Sequence, residues 1–439
     1  MTTFGSTGTD TTPTASMTPS STRAGKSALG ARQLRVDDGI FEEARQLASD
    51  AVGLRRSLHA WPEIGLQLPQ TQRRVLQALD GLGLDIRTGQ RLSSVTATLE
   101  GPDDGPTILL RADMDALPLR EGTGLDFASR ASGAMHACGH DAHTAMLVGA
   151  ARLLARHRDE MAGRVVFMFQ PGEEGRHGAR HMIDEGVLEV GGRGVDAAFA
   201  LHVTPNLPSG TLRLRPGPQM AASDKVRVVV RGRGGHASAP DTACDPVPVA
   251  CEIVLALQTA VTRRIPAADP AVLTISCLSA GSFPGIIPET VELAGTIRTL
   301  TAATRERLHA AVHQIAKGVA AAHGATAEVS VEPVYPTTVN DSKFARFVLD
   351  AAAEVLGPDR VDVLAAPEMT AEDFAYVLAA VPGALAFLGA CPPGLTPDEA
   401  PALHSDRADI DEGALTSGIA CHAAVALRYL AGFGRETTS

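Results

Sequence analysis

The sequence is poor in cysteine, in basic residues and in long apolar runs. Six cysteines scattered over 439 residues do not make a disulfide scaffold, so we expect a reducing compartment and a cytoplasmic protein. No run of 18 apolar residues occurs, which argues against a transmembrane helix. With 39 Lys and Arg against 50 Asp and Glu, the net charge is −11, so the basic footprint of a nucleic-acid-binding protein is missing.

The composition is that of a folded protein with an unusual beginning. Hydrophobic residues make up 44% of the chain, enough for a large core spread over roughly two to four domains. Residues 1–35 are instead rich in Thr, Ser, Gly and Pro, and we expect a disordered tail there. This stretch lacks a basic segment followed by an apolar one, so we do not expect a signal peptide.

Strand-like and helix-like segments alternate over two separate parts of the chain, residues 36–221 and 336–439. For example, the apolar strand Arg164–Phe169 follows a helix predicted over 141–157. Such alternation is typical of an α/β fold with a largely parallel sheet. We predict that these two parts together form one α/β domain.

The intervening residues, 222–335, follow a different order of elements. Their pattern predicts strand, helix, strand, strand, helix and strand, which is the βαββαβ order of a ferredoxin-like unit. Because the unit is complete and interrupts the alternating pattern, we predict an inserted second domain over 222–335.

The densest group of potential metal ligands lies within residues 135–144. It contains five such residues: His136, Cys138, His140, Asp141 and His143. Imidazole, thiolate and carboxylate are the common ligands of Zn²⁺ and related transition metals. Their density favours a metal site over a helix start with incidental histidines.

Further acidic and histidine residues follow the ends of predicted strands or lie on nearby connections. The set comprises Asp113, Asp115, His140, Glu173, Glu174, His202 and His404. The adjacent carboxylates of Glu173 and Glu174 would repel each other unless a cation or a proton lay between them. Because ligands bind at the carboxyl edge of open α/β sheets, we predict that the set forms one site.

Signatures of several other enzyme classes are absent or incomplete. The run Gly232–Ala237 approaches a dinucleotide-binding fingerprint, but Pro240, Pro246 and Pro248 delay the helix that the fingerprint requires. The sequence also lacks the G-x-S-x-G, H-E-x-x-H and G-x-x-x-x-G-K-[ST] motifs. NAD binding and serine-hydrolase chemistry are therefore not expected.

Nine motifs occur in the order found in the M20 metallopeptidases, and the chain most resembles the amidohydrolase subfamily of that family. Over roughly residues 40–430 they are RADMDALP, MHACGHDAHTAML, FQPGEEG, His202-Val203, MAASD, GRGGHASAP, GTIR, MTAEDFA and ALHSD. The subfamily includes N-acyl-amino-acid amidohydrolases, hippurate hydrolases and auxin-conjugate hydrolases. The resemblance implies a catalytic α/β domain with an inserted lid domain, through which a homodimer usually forms.

The resemblance also implies a role for each candidate site residue. Five would bind two divalent cations: Cys138, His140, Glu174, His202 and His404. Glu173 would be the general base, with Asp113 and Asp115 behind the metals as orienting groups. His236, on the lid, would meet the substrate carbonyl oxygen, often from the partner subunit. Arg298 would contact the substrate carboxylate.

We therefore expect a metal-dependent amidohydrolase that cleaves N-acyl-amino acids or similar conjugates, in the manner of an aminoacylase or hippurate hydrolase. The subfamily favours Mn²⁺, whereas the soft ligand Cys138 keeps Zn²⁺ open, and Co²⁺ is a further alternative. Gly285 replaces an Asn that the family often has, which leaves the substrate open. The alternatives are a dipeptidase or carboxypeptidase on the same scaffold, and a non-catalytic metal-binding module, against which the intact Glu173 argues.

Overall fold

The computed structural model describes residues 38–433, and the predicted disordered tail lies outside the described residues. In this part of the chain the α-helices are α1 (Asp38–His59), α2 (Pro69–Leu79), α3 (His140–Arg156), α4 (Gly178–Asp184), α5 (Pro246–Arg264), α6 (Ala302–Ala322), α7 (Ser342–Leu356), α8 (Ala375–Ala380) and α9 (Ala414–Arg428). Short 3₁₀ helices cover Arg158–Glu160, Pro240–Thr242 and Pro358–Arg360, and a π-helical turn covers Tyr429–Phe433.

The strands are β1 (Asp85–Thr88), β2 (Val95–Glu100), β3 (Asp103–Asp113), β4 (Ala162–Gln170), β5 (Glu189–Val190), β6 (Arg193–Gly194), β7 (Ala197–Thr204), β8 (Leu212–Leu214), β9 (Gly217–Met220), β10 (Ala222–Arg231), β11 (Gly235–His236), β12 (Ala271–Ala280), β13 (Ile286–Ile287), β14 (Thr290–Thr299), β15 (Thr326–Tyr335), β16 (Thr338–Asn340), β17 (Val361–Val363) and β18 (Gly383–Gly389).

Eight strands form the large sheet, in the order β1-β2-β4-β3-β7-β18-β8-β17. The central strands β4, β3, β7 and β18 pair in parallel, whereas β1, β2 and β8 join through antiparallel pairs. Consecutive residues of β3 alternate between two apolar clusters: Ile108 and Leu110 pack on the side of α1, α3 and α9, and Leu109 packs on the side of α4 and α8. The predicted α/β fold with a mostly parallel sheet is confirmed.

Residues 222–335, which we call the inserted segment, have the βαββαβ order that the sequence predicted. Their four-stranded antiparallel sheet has the order β12-β14-β10-β15 and carries α5 and α6. Val228, Ile253 and Leu293 belong to an apolar cluster that is separate from the two clusters of the large sheet. The segment therefore has a core of its own.

The chain enters and leaves the inserted segment along two neighbouring strands. β9 precedes the segment, β16 follows it, and the two pair antiparallel. The buried side chain of Asn340, at the end of β16, accepts a hydrogen bond from the Leu385 backbone N–H and donates to its carbonyl, at 2.8 and 3.0 Å. The side-chain amide of Asn340 thereby anchors the outgoing connecting strand, β16, to β18 of the large sheet.

The C-terminal helical region is the most apolar long stretch of the fold. Among the described helices, the stretch Ala414–Gly432 alone is long and apolar enough to cross a membrane, but 89% of it is buried inside the protein. It packs against α1, α3 and α7. Its apolar character therefore belongs to the core of the large-sheet part.

Candidate active site

Eight of the residues selected from the sequence meet at the carboxyl edge of the large sheet. They are Asp113, Asp115, Cys138, His140, Glu173, Glu174, His202 and His404. Asp113 ends β3, the two glutamates follow β4, and His202 lies near the end of β7. The parallel strands bring these groups together because their carboxyl ends share one edge of the sheet.

The thiol of Cys138 lies between two imidazoles. Its Sγ is 3.6 Å from Nε2 of His202 and 3.3 Å from Nε2 of His404. The same nitrogen of His404 is 3.1 Å from Oε1 of Glu174. Three overlapping groups have their donor atoms within 4.8 Å of one another: Cys138, His140 and His202; Cys138, Glu174 and His404; and His140, Glu173 and Glu174.

The space between these side chains, which we call the metal pocket, contains buried potential ligand atoms that have no hydrogen-bond partner in the protein. Nε2 of His140 and Oε1 of Glu174 have no hydrogen-bond partner, and the ring of His404 is close to the latter atom without being aligned for a bond. Leaving a buried polar atom unpaired costs about 1–3 kcal/mol. An unpaired imidazole nitrogen and an unpaired carboxylate oxygen beside the thiol of Cys138 fit divalent metal ions of the Zn²⁺ or Mn²⁺ kind.

A glycine shapes the backbone between two of these groups. Gly139 separates Cys138 from His140 at the start of α3 and has a φ of +79°. A Cβ atom at this position would lie 2.3 Å from Cγ2 of Val203 on β7. The close approach of α3 to β7 therefore requires glycine here.

Asp115 acts on the backbone of the two glutamates rather than on the pocket directly. Its Oδ1 accepts a hydrogen bond from the N–H of Glu173 at 2.9 Å, and its Oδ2 accepts one from the N–H of Glu174 at 3.0 Å. Its carbonyl oxygen accepts from Nδ1 of His140 at 2.8 Å. Because Nδ1 then carries the proton, Nε2 of His140 keeps its lone pair for a metal.

Asp113 lies between a histidine and an arginine. Its Oδ1 accepts from Nδ1 of His143 at 2.6 Å, and its Oδ2 accepts from Arg111 at 2.7 Å. Nε2 of His143 in turn accepts from the N–H of Val203 at 2.8 Å. Both ring nitrogens of His143 are thus occupied by the protein, although its sequence position suggested a ligand.

The other two members of the 135–144 cluster also lie apart from the pocket. Asp141 accepts hydrogen bonds from Arg55 at 3.1 Å and from His59 at 2.8 Å. His136 is buried, and burial lowers its pKa to about 4, so its ring is neutral. Of the five potential ligands that the sequence offered there, Cys138 and His140 face the pocket.

A buried charge network lies behind Glu173 and was missed in the sequence. The guanidinium of Arg111, fully buried, donates to Asp113, to Glu372 at 2.8 Å and to Asp373 at 3.2 Å. Oxygens of Glu173, Glu372 and Asp373 lie within 4.8 Å of one another. The signal was available: Arg111 opens the RADMDALP motif, and the two adjacent acids lie in MTAEDFA.

This network changes the acidity of Glu173. Burial raises its pKa well above the ordinary range, and the neighbouring carboxylates of Glu372, Glu174 and Asp373 raise it further. Positive charge in the pocket would counter that rise. A carboxyl with such surroundings holds a proton more readily than an exposed glutamate, which suits a group that takes up and releases a proton.

His236 and Arg298 lie on the inserted segment. His236 is exposed on β11, and its Nδ1 accepts a hydrogen bond from the N–H of Ser238 at 3.1 Å. Arg298, half-buried on β14, donates to Oγ of Ser223 at 2.7 Å. Both side chains make their hydrogen bonds within the inserted segment, not with the pocket.

Replacing Gly139 with Ala tests how far the pocket depends on its backbone. The added Cβ would lie 2.3 Å from Val203 at an unfavourable positive φ, so Cys138 and His140 should be displaced. We expect the affinity for Mn²⁺ to fall by about tenfold or more, measured by equilibrium dialysis with elemental analysis. Gly133→Ala is the control, because Gly133 has a φ of +74° and nothing within 4 Å. Equal affinities in the two variants would contradict the prediction.

The chain is similar to curated proteins of known name. Residues 109–428 match the model described as Peptidase family M20/M25/M40. The chain is 36% identical over 398 residues to thermostable carboxypeptidase 1 of Saccharolobus solfataricus, covering 89% of this chain and 98% of that one. It is 39% identical over 339 residues to N-acetylcysteine deacetylase of Bacillus subtilis, covering 77% and 87%. An IAA-amino acid hydrolase ILR1-like 4 of Arabidopsis thaliana is 35% identical, covering 86% and 85%.

Solved structures share the fold. A putative aminohydrolase from methicillin-resistant Staphylococcus aureus superimposes with a TM-score of 0.82 at 32% identity, covering 89% of this chain and 99% of that one. The Bacillus subtilis YXEP protein, described as a dinuclear metal binding peptidase from the M20 family, has a TM-score of 0.76 at 34% identity, covering 88% and 99%. The chain therefore belongs to peptidase family M20/M25/M40, as its motifs predicted, and is a metal-dependent hydrolase of amide bonds.

Proposed function

We propose that this protein hydrolyses the amide bond between an acyl group and an amino acid, with Glu173 as the general base. The observation that carries the proposal is the difference between two adjacent glutamates. Glu174 belongs to a ligand group with Cys138 and His404, whereas Glu173 also lies against the buried acids beside Arg111. Relatives named N-acetylcysteine deacetylase and IAA-amino acid hydrolase support an acylated amino acid as substrate.

Two divalent cations would be held by five residues: Cys138, His140, Glu174, His202 and His404. When bound, they would lower the pKa of a water molecule and polarise the scissile carbonyl. The relative described as a dinuclear metal binding peptidase supports two ions. The imidazole and carboxylate donors suit Mn²⁺, and the thiolate of Cys138 suits Zn²⁺, with Co²⁺ as a third alternative.

Different residues of the chain transfer the proton and position the reacting groups. Glu173 accepts a proton from the attacking water and delivers it to the leaving nitrogen as the amide bond breaks. Glu174 cannot share this role while its oxygens bind a cation. Asp115 fixes the backbone of both glutamates by accepting hydrogen bonds from their N–H groups, and Asp113 orients His143 behind the pocket.

The inserted segment would act as a lid and bring two further groups to the substrate. The N–H of Ser238 donates to Nδ1 of His236, so the neutral ring carries its proton on Nε2 and can donate it to a carbonyl oxygen. Arg298 is oriented by its bond to Ser223, and its guanidinium would bind the substrate carboxylate. Catalysis would then require the lid to close over the metal pocket.

The same segment offers a surface for a homodimer. β12 is an edge strand of the four-stranded sheet, and apolar side chains are exposed on and near it. These include Leu255, Val272, Leu278, Phe283 and Ile286. An exposed apolar edge strand is a template for pairing with another copy.

All six cysteines are unpaired, which supports the proposed cytoplasmic location.

A substrate screen tests the proposed activity. The Mn²⁺- or Zn²⁺-loaded protein is given N-acetyl, N-benzoyl and longer N-acyl amino acids beside free dipeptides and longer peptides, and the released amino acid is measured. We expect the acylated amino acids to be hydrolysed fastest. Faster release from free peptides would make the protein a dipeptidase or carboxypeptidase, and bound metal without any turnover would make it a binding module.

Substitution of the adjacent glutamates tests their separate roles. Glu174→Ala removes a ligand, so the affinity for Mn²⁺ should fall. Glu173→Ala removes the proton acceptor, so the metals should stay bound while the rate drops by about 10²–10⁴-fold. Metal titration followed by rate measurement at saturating metal distinguishes the two effects.

Each glutamate variant is the matched control of the other, because both lose the same side chain from the same turn. The assignment is wrong if Glu173→Ala loses its metals while Glu174→Ala keeps them and fails only in rate.

Mixing two inactive variants tests which subunit of the proposed dimer supplies His236 to each active site. In a dimer whose sites combine Glu173 of one subunit with His236 of the other, His236→Ala and Glu173→Ala would each be nearly inactive alone. Mixed and re-equilibrated, they should regain about a quarter of the wild-type rate, because half of the dimers are mixed and each has one intact site. His323→Ala, also exposed on the inserted segment, should keep the wild-type rate. No recovery from the mixture, with dimers shown to exchange, would place His236 in its own subunit's site.

A further inference from the structure

Tyr335 connects the inserted segment to the turn that carries the two glutamates. It is the last residue of β15 and is buried, with 5% of its surface exposed. Its hydroxyl donates a hydrogen bond to the backbone carbonyl of Glu173 and accepts one from the N–H of Gly175 at 2.7 Å. One hydroxyl group thus spans the turn, although Tyr335 lies in none of the nine motifs.

The turn itself is tight, and four of its backbone polar groups are hydrogen-bonded. The N–H of Gly175 also bonds to the carbonyl of Glu173 at 2.7 Å, so Glu174 is the central residue of a γ-turn. The carboxylate of Asp115 accepts hydrogen bonds from the N–H groups of both glutamates. The hydroxyl of Tyr335 bonds to the carbonyl of Glu173 and to the N–H of Gly175 at the two ends of the turn. Two side chains from distant parts of the chain therefore fix this short piece of backbone.

The phenol of Tyr335 is itself held in place by aromatic neighbours. Its ring meets the ring of His177 edge to face at 5.2 Å and that of Tyr376 at 6.1 Å. The hydroxyl of Tyr376 donates to the carbonyl of Val334 at 2.6 Å. Burial raises the pKa of Tyr335, and the nearby carboxyl of Glu173 raises it further, so the hydroxyl stays protonated and able to donate.

We propose that Tyr335 is a positioning residue for catalysis, whose hydroxyl fixes the turn so that the carboxylate of Glu173 reaches the reacting water. The inference rests on the proposed function, in which Glu173 is the general base. Since Tyr335 ends β15, the same two hydrogen bonds join the outgoing strand of the inserted segment to the base. The geometry of the base therefore depends on where that strand lies.

Tyr335→Phe removes the hydroxyl and keeps the ring, so the aromatic packing is retained. At saturating Mn²⁺ we expect kcat to fall about tenfold, because small displacements of a catalytic group are costly, while KM changes by less than about twofold. The control is Tyr376→Phe, which loses a hydroxyl of the same aromatic cluster that bonds to Val334 rather than to the turn. It should keep kcat within about twofold of wild type.

Each variant loses the two hydrogen bonds of one hydroxyl: those to Glu173 and Gly175 in Tyr335→Phe, and those to Val334 and His177 in Tyr376→Phe. A merely structural role of Tyr335 would therefore affect the two variants alike. Equal kcat values for Tyr335→Phe and wild type, or an equal fall in Tyr376→Phe, would overturn the proposal. Thermal unfolding of both variants shows that each is folded at the assay temperature.

A double-mutant comparison identifies the group through which Tyr335 acts. In the Glu173→Gln background, measured by single turnover with enzyme in excess, Tyr335→Phe should lower the rate by less than about twofold, because the base is already lost. A further tenfold fall would show that the hydroxyl acts elsewhere. The substrate is whichever amide the wild type hydrolyses in the screen, so a wrong substrate class would leave this comparison intact.

Discussion

The structure depends on how it accommodates five buried carboxyl groups at one edge of the large sheet. They belong to Asp113, Asp115, Glu173, Glu372 and Asp373. A buried negative charge is stable only when a cation or hydrogen-bond donors compensate it. Arg111 compensates three of the five, and backbone N–H groups compensate Asp115. Glu173 is left against its acidic neighbours, which is why burial and those neighbours raise its pKa. Further positive charge in the metal pocket, beside Glu173, would therefore compensate this remaining buried carboxyl group.

A second charge network fixes the helix that presents the ligands. Asp141, one residue beyond His140 on α3, is bound by Arg55 and His59 of α1. Burial opposes a charge on His59, but the carboxylates of Asp141 and Glu121 outweigh it and raise the pKa of His59 to about 9. The imidazole is therefore protonated at neutral pH, and the start of α3 is held to α1 by two cations. Helix α1 thus contributes to the site although none of its residues enters the pocket.

The inserted segment is joined to the site by few but well-defined contacts. Its two connecting strands pair with each other, Asn340 anchors one of them to β18, and the hydroxyl of Tyr335 reaches the turn that carries the two glutamates. The position of His236 and Arg298 on this segment separates the proposed substrate contacts from the metal pocket. The proposed movement of the segment as a lid would pass to the two glutamates through these hydrogen bonds.

The sequence by itself determined the elements and the edge at which the site lies. Alternating strand and helix periods are local properties, so the α/β fold and the βαββαβ segment could be predicted, and residues after parallel strands necessarily share one edge. Tertiary packing decided which neighbours are candidate ligands: both ring nitrogens of His143 are hydrogen-bonded, to Asp113 and Val203, while Cys138 and His140 face the pocket. It also decided that α8 begins only at Ala375, since Glu372 and Asp373 turn toward Arg111, more than 260 residues earlier. No local pattern encodes such pairings, because they depend on where the folded chain brings distant side chains together.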